Sequence, residues 1–175
     1  MIDKIVLGLD NLSLVPSEYK DNVKNVLDKV LELGIDAKLL FHPNNPVTSL
    51  QSHLDLYGGS ADNVMKCLCF VSKSKPLVVI ASGEIKVDMK KLSDVSGMKD
   101  IRMAKFEELQ NLFGRKPGGV DPLTISDNIP VFVDKSFFEK DFVVGSGGCP
   151  VVGLKLNPNE IKKFNRYVVA DLSKD

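Results

Sequence analysis

Apolar residues recur at helical spacing through Tyr19, Val23, Val26, Leu27, Val30, Leu31 and Leu33. This pattern predicts an amphipathic helix opened by Pro16-Ser17 and closed by Gly34. The rhythm then changes. Residues 35–41 read as a strand, and His42-Pro43-Asn44-Asn45-Pro46 as a rigid connector, because two prolines in so short a stretch exclude both helix and ladder. Thr48 or Ser49 can cap a short helix running to about Tyr57, where Gly58-Gly59 stops it.

Two apolar runs, 63–72 and 76–82, flank Lys73-Ser74-Lys75 and predict two adjacent strands. Short helices are expected at 87–95 and 105–113, with a strand at 101–104 between them. Residues 115–121 form a loop. Four more strands are expected at 129–133, 142–145, 151–156 and 166–171. A helix starts at Asn157, where an N-cap is followed by Pro158 and Glu160. Several consecutive strands have no helix between them, so the fold class is α/β (α+β). The expected architecture is a mixed, curved, partly open barrel-like β-sheet with flanking helices. The expected division is a helical N-terminal extension over residues 1–34 packed on a domain over 35–175.

Composition narrows the function. The 175 residues suit one compact domain, and 43% hydrophobic content suffices for a core. Lys plus Arg and Asp plus Glu both number 23, a formal net charge of zero. Binding of nucleic acid through bulk positive charge is thereby excluded, and any such contact must be local. No apolar stretch reaches the roughly 20 residues of a membrane span, and the N-terminal sequence lacks the features of a signal peptide. Three cysteines, two of them in an apolar run, argue against a disulfide framework and for a cytoplasmic location.

Metal and nucleophile motifs are absent. Cys67 and Cys69 are spaced for one strand face rather than a chelating turn, and are expected as small core residues. His42 and His53 are expected at the surface. No GxSxG elbow occurs. Lys66 is the more informative residue. In the run from Val64 to Phe70, Met65, Cys67 and Cys69 take one face, while Val64, Lys66, Leu68 and Phe70 take the other. A cation in mid-strand between two apolar faces needs a carboxylate partner or a pocket that receives a polar ligand. Gly118-Gly119-Val120-Asp121-Pro122 can turn N–H groups toward one oxygen atom. Gly145-Ser146-Gly147-Gly148 is expected to join two strands and could do the same. Neither cluster has the ending of a phosphate-binding P-loop.

In order, these pieces resemble the YbaK/ProX family of aminoacyl-tRNA deacylases, which also occurs as the editing insertion of bacterial prolyl-tRNA synthetases. The similarity runs from His42-Pro43 and Val47-Thr48-Ser49 through Val64-Met65-Lys66-Cys67-Leu68 to the GxxxP-like loop at Gly118–Pro122. Ile129–Asp134, Gly145–Gly148 and Leu156-Asn157-Pro158 complete it. About residues 39–172 are covered.

The resemblance implies a freestanding trans-editing hydrolase that removes a small amino acid, such as alanine or cysteine, from a non-cognate tRNA such as tRNA-Pro. Such clearance is needed because a synthetase pocket separates small side chains by only about 1–3 kcal/mol per methylene. It implies catalysis around Lys66, Gly118 and Gly119, without metal or cofactor. The glycine N–H groups would face the ester carbonyl, and Lys66 would fix the terminal phosphate or the aminoacyl end. Gly147 and Gly148 would leave room for the ribose, Ser146 would hydrogen-bond it, Thr48 would line the entrance and Pro122 would set the direction of the loop. Arg115 and Lys116 adjoin the loop where the acceptor end of aminoacyl-tRNA must pass. An aminoacyl-tRNA synthetase is the other partner implied, with neither DNA nor membrane. The rival readings are a non-catalytic aminoacyl-tRNA or synthetase-binding module of the same fold, and a scaffold whose glycines are only turns.

Overall fold

The computed structural model describes residues 4–164 and 166–175. The segment expected as a helical extension contributes a strand, β1 (Ile5–Leu7), before its helix, α1 (Ser17–Glu32). Val23, Val26, Leu27 and Val30 form the buried face of α1, at the i, i+3, i+4, i+7 spacing of one helical stripe. Strand β2 (Ala37–Phe41) leads through the proline connector to α2 (Leu50–Tyr57). Ser49 caps α2, its hydroxyl accepting the Ser52 N–H at 3.1 Å.

The two apolar runs form an antiparallel hairpin, β3 (Met65–Ser72) and β4 (Lys75–Ser82). Lys73 and Ser74 both have left-handed φ, 46° and 70°, as a two-residue type I′ turn requires. There follow α3 (Met89–Ser96), β5 (Ile101–Met103) and α4 (Phe106–Glu108), which widens into a π turn at Leu109–Phe113. The remaining strands are β6 (Val131–Asp134), β7 (Val143–Cys149), β8 (Val152–Leu156) and β9 (Val168–Ala170).

The strands make two sheets, ordered β1-β2-β8-β7 and β5-β3-β4-β6-β9. The first is antiparallel. The second is mixed, because β6 runs parallel to both β4 and β9. Among the described residues a single bridge, between Val64 and Val144, links the sheets, so the surface is curved and open rather than a closed barrel. The larger core lies between the sheets and beneath α1; the smaller packs Leu92 of α3 against Phe70, Leu77, Val79, Phe132 and Leu172. Among the described residues no helix is long and apolar enough to cross a membrane.

Two further local expectations change. The segment after Asn157 is a 3-10 helix, Pro158–Phe164, whose buried residues Pro158 and Ile161 stand three apart; three residues per turn puts that pair on one side. The Gly145–Gly148 run is not a connector. It lies inside β7, pairing Gly145 with Leu154 and Ser146 with Gly153, with an irregularity between Ser146 and Cys149. A strand can absorb extra residues in a bulge without losing its neighbour.

Asp134 ties the C-terminal segment to the core. It is buried, and its carboxylate accepts the Ser136 N–H at 3.0 Å and the Leu172 N–H at 2.8 Å. Asp134→Ala strands the buried Leu172 N–H, so a loss of about 1.5–3 kcal/mol is expected. Urea unfolding should show a lower midpoint with an unchanged slope.

Candidate functional site

The two sheets splay apart on one side of β3. β5 pairs with β3 only at Phe70–Ser72, and β7 reaches it only near Val64. Between those contacts a cavity of about 440 Å³ opens, lined by β3 from Met65 to Cys69. Gly145, Ser146 and Gly153 line it from the other sheet, and the loops carrying Thr48 and Gly118 complete its rim. Of the residues expected to carry catalysis or substrate binding, Lys66, Thr48, Gly118 and Ser146 share this cavity.

Lys66 is half-buried, and its ammonium lies 3.5 Å from the Ile85 carbonyl. Among the described residues no carboxylate comes within ion-pair distance of it. Burial lowers its pKa below the ordinary value, partly offset by the field of Glu84. The fold therefore keeps a cation where charge is disfavoured, a common mark of a group held for a ligand.

The glycine loop stands on buried Asp121. Its carboxylate accepts the N–H groups of Leu123 and Thr124, at 2.9 and 2.8 Å, and burial raises its pKa. The Pro122 carbonyl accepts the Tyr167 hydroxyl. Gly118 has φ +77°, and a Cβ there would come within 2.9 Å of the Val47 carbonyl oxygen. Both facts demand glycine. The Gly119 N–H donates to the Lys116 carbonyl at 2.9 Å, within the loop.

Gly147 and Gly148 serve packing. A Cβ at Gly147 would meet Val152, and one at Gly148 would meet the Asn22 backbone of α1. The Ser146 hydroxyl accepts the Gly148 N–H at 3.2 Å. Arg115 faces inward, with a side chain 14% exposed that donates to Thr124 at 2.8 Å and lies 3.6 Å from Asp121. Lys116 is exposed, 3.5 Å from Glu18 and over the Tyr19 ring.

The histidines are not at the surface. His42 and His53 are 1% and 5% exposed. The His42 backbone N–H donates to the Val151 carbonyl at 2.9 Å, so the residue continues the level of the sheet, while His53 shares the inner face of α2 with Leu56. Tyr57 packs beside both, with ring centroids 5.6 Å from His42 and 4.9 Å from His53. This group escapes sequence reading, although the spacing of His53, Leu56 and Tyr57 on a capped helix was an available signal. All three cysteines reach the cavity wall. Burial pushes the Cys69 and Cys149 thiols up to about 12 and about 11, and Cys67 well above its usual range. As neutral thiols they are poor nucleophiles.

The sequence model of the aminoacyl-tRNA editing domain family matches residues 42–164. Prolyl-tRNA synthetase of Aquifex aeolicus is 28% identical over 129 residues, 72% of this chain and 22% of the ligase. The chain thus spans less than a quarter of that relative. A proposed Cys-tRNA(Pro)/Cys-tRNA(Cys) deacylase of Enterococcus faecalis is 24% identical over 126 residues, 71% of this chain and 77% of the relative. In fold, the chain is similar to the crystal structure of a proposed trans-editing enzyme for prolyl-tRNA synthetase. The TM-score is 0.75 at 23% identity, covering 88% of this chain and 98% of that one.

Burial lowers the pKa of both histidines below 6.5, and Lys4 adds to the effect at His42. Below about pH 6.5 the unfolded chain binds more protons than the folded one, so their contribution to stability is lost as pH falls toward the folded values. Melting temperature should drop between about pH 7 and about pH 5, and a His42→Gln/His53→Gln variant should show a smaller drop.

Proposed function

The chain belongs to the aminoacyl-tRNA editing domain family, and on that premise we propose that it hydrolyses the ester joining a small amino acid, such as alanine or cysteine, to a non-cognate tRNA such as tRNA-Pro. The carrying observation is half-buried Lys66, a residue of the wall of a cavity shared with Gly118, Thr48 and Ser146, whose ammonium lies 3.5 Å from the Ile85 carbonyl. A cavity with apolar walls and a few polar groups fits a small acyl side chain attached to a charged, polar carrier.

Water adds to the ester carbonyl, the acyl bond to the 3′-terminal ribose oxygen breaks as one water proton passes to that oxygen, and the amino acid leaves as its carboxylate with release of the second proton. The ester is already activated, so positioning and charge stabilisation supply the catalysis. Lys66 attracts the terminal phosphate or the developing negative charge. The Gly118 loop brings main chain close to the substrate, and the Thr48 and Ser146 hydroxyls offer hydrogen bonds to the ribose. Gly119 shapes the loop through its bond to Lys116. Lys116 is the exposed cation beside the loop available to the acceptor end, while Arg115 and Pro122 hold the loop from behind.

Wild-type protein should shorten the lifetime of alanyl-, cysteinyl- or seryl-tRNA, whereas a binding module would bind them without turnover. Lys66→Ala should lower kcat/KM roughly 10- to 100-fold without lowering the melting temperature, since burial disfavours its charge. Unchanged turnover in the folded variant would remove Lys66 from the mechanism. As pH rises, the Lys66-dependent step should be lost at a lower pH than an ordinary lysine's 10.5 would set, because the folded value is depressed.

A further inference from the structure

Tyr57 ends α2, and its ring lines the cavity opposite the bare Cα of Gly153 in β8. A Cβ built at Gly153 would fall on the Tyr57 hydroxyl and 2.8 Å from the ring carbon Cζ. The phenol thus occupies the space into which a side chain at residue 153 would project. The ring is also fixed. His42 meets it edge-on, His53 packs obliquely against it, and the Lys4 ammonium stands 5.3 Å from its centroid while donating to the Leu56 carbonyl at 2.9 Å. The Tyr57 hydroxyl is buried and has no hydrogen-bond partner among the described residues, so packing rather than a hydrogen bond holds it on Gly153.

We propose that Tyr57 sets the upper size of the acyl side chain this cavity admits, its phenol taking the place of a side chain at residue 153. This rests on the editing reading above and names its specificity-determining wall. A rigid ring closing a largely apolar cavity excludes by volume, which is how a pocket rejects side chains larger than its own. Residues 57 and 153 are then mutually exclusive, since bulk at one position requires its removal at the other. The Lys4 ammonium packs against the same ring from the N-terminal segment.

The test uses the full chain and a panel of aminoacyl-tRNAs graded by side-chain size: alanyl, cysteinyl, valyl and leucyl. Tyr57→Leu and Tyr57→Ala should raise the leucyl-to-alanyl ratio of kcat/KM by roughly tenfold or more. An unchanged ratio in variants that still deacylate alanyl-tRNA would overturn the proposal. A wild type that deacylates no member of the panel would instead overturn the editing reading on which it rests. A second measurement reads the same contact without activity. Gly153→Ala should lower the melting temperature in the wild-type background and do so much less in the Tyr57→Leu background. Equal losses in both backgrounds would show that the phenol does not fill that space.

Discussion

The close approach of β7 to β3 governs the shape of this protein. Met65 lies against Gly145 so tightly that a Cβ there would sit 2.7 Å from the Met65 Cε and 3.0 Å from its carbonyl oxygen. That contact lets Val64 and Val144 bridge the two sheets. A side chain at residue 145 would push the sheets apart, because packed interiors have no slack to absorb it. Beyond the bridge the sheets diverge, and the cavity is the space left between them. Its position follows from where the contact ends.

The polar groups around that space come from unrelated parts of the chain. Lys66 comes from a central strand, Gly118 from a loop anchored on Asp121, and Ser146 from the irregular half of β7. Their supports differ accordingly. The loop is held by charge-assisted hydrogen bonds to a buried carboxylate, which specify direction as well as energy. Lys66 is held by its strand and by one long contact, with the Ile85 carbonyl 3.5 Å from its ammonium. The site combines a rigid frame with one weakly satisfied charge, an arrangement suited to a polar ligand that enters and leaves.

Much of this was legible in the sequence because local physics is strong there. Alternation through 64–70 assigned the two faces of β3, and the structure divides them as expected, with Met65 and Cys69 in the larger core and Phe70 in the smaller. Helical spacing located α1, and the serine cap located α2. Glycine was harder to read. The same residue type marks a turn, a bulge or a close approach, and Gly145–Gly148 proved to be strand and bulge rather than connector.

The sequence by itself determined most of the elements, the mixed α/β class and the residues able to carry chemistry, because propensity, capping and periodicity act within a few residues of one another. Tertiary structure alone decided which of those residues meet. Arg115 and Lys116 are neighbours in the chain, yet one turns inward to Thr124 and Asp121 while the other stays in water. His42, His53 and Tyr57 are separated along the chain, yet they pack as one buried group, with Lys4 behind the Tyr57 ring and Gly153 before its hydroxyl. Burial and cross-chain packing depend on how distant strands pair, and no local pattern in a single chain carries that information.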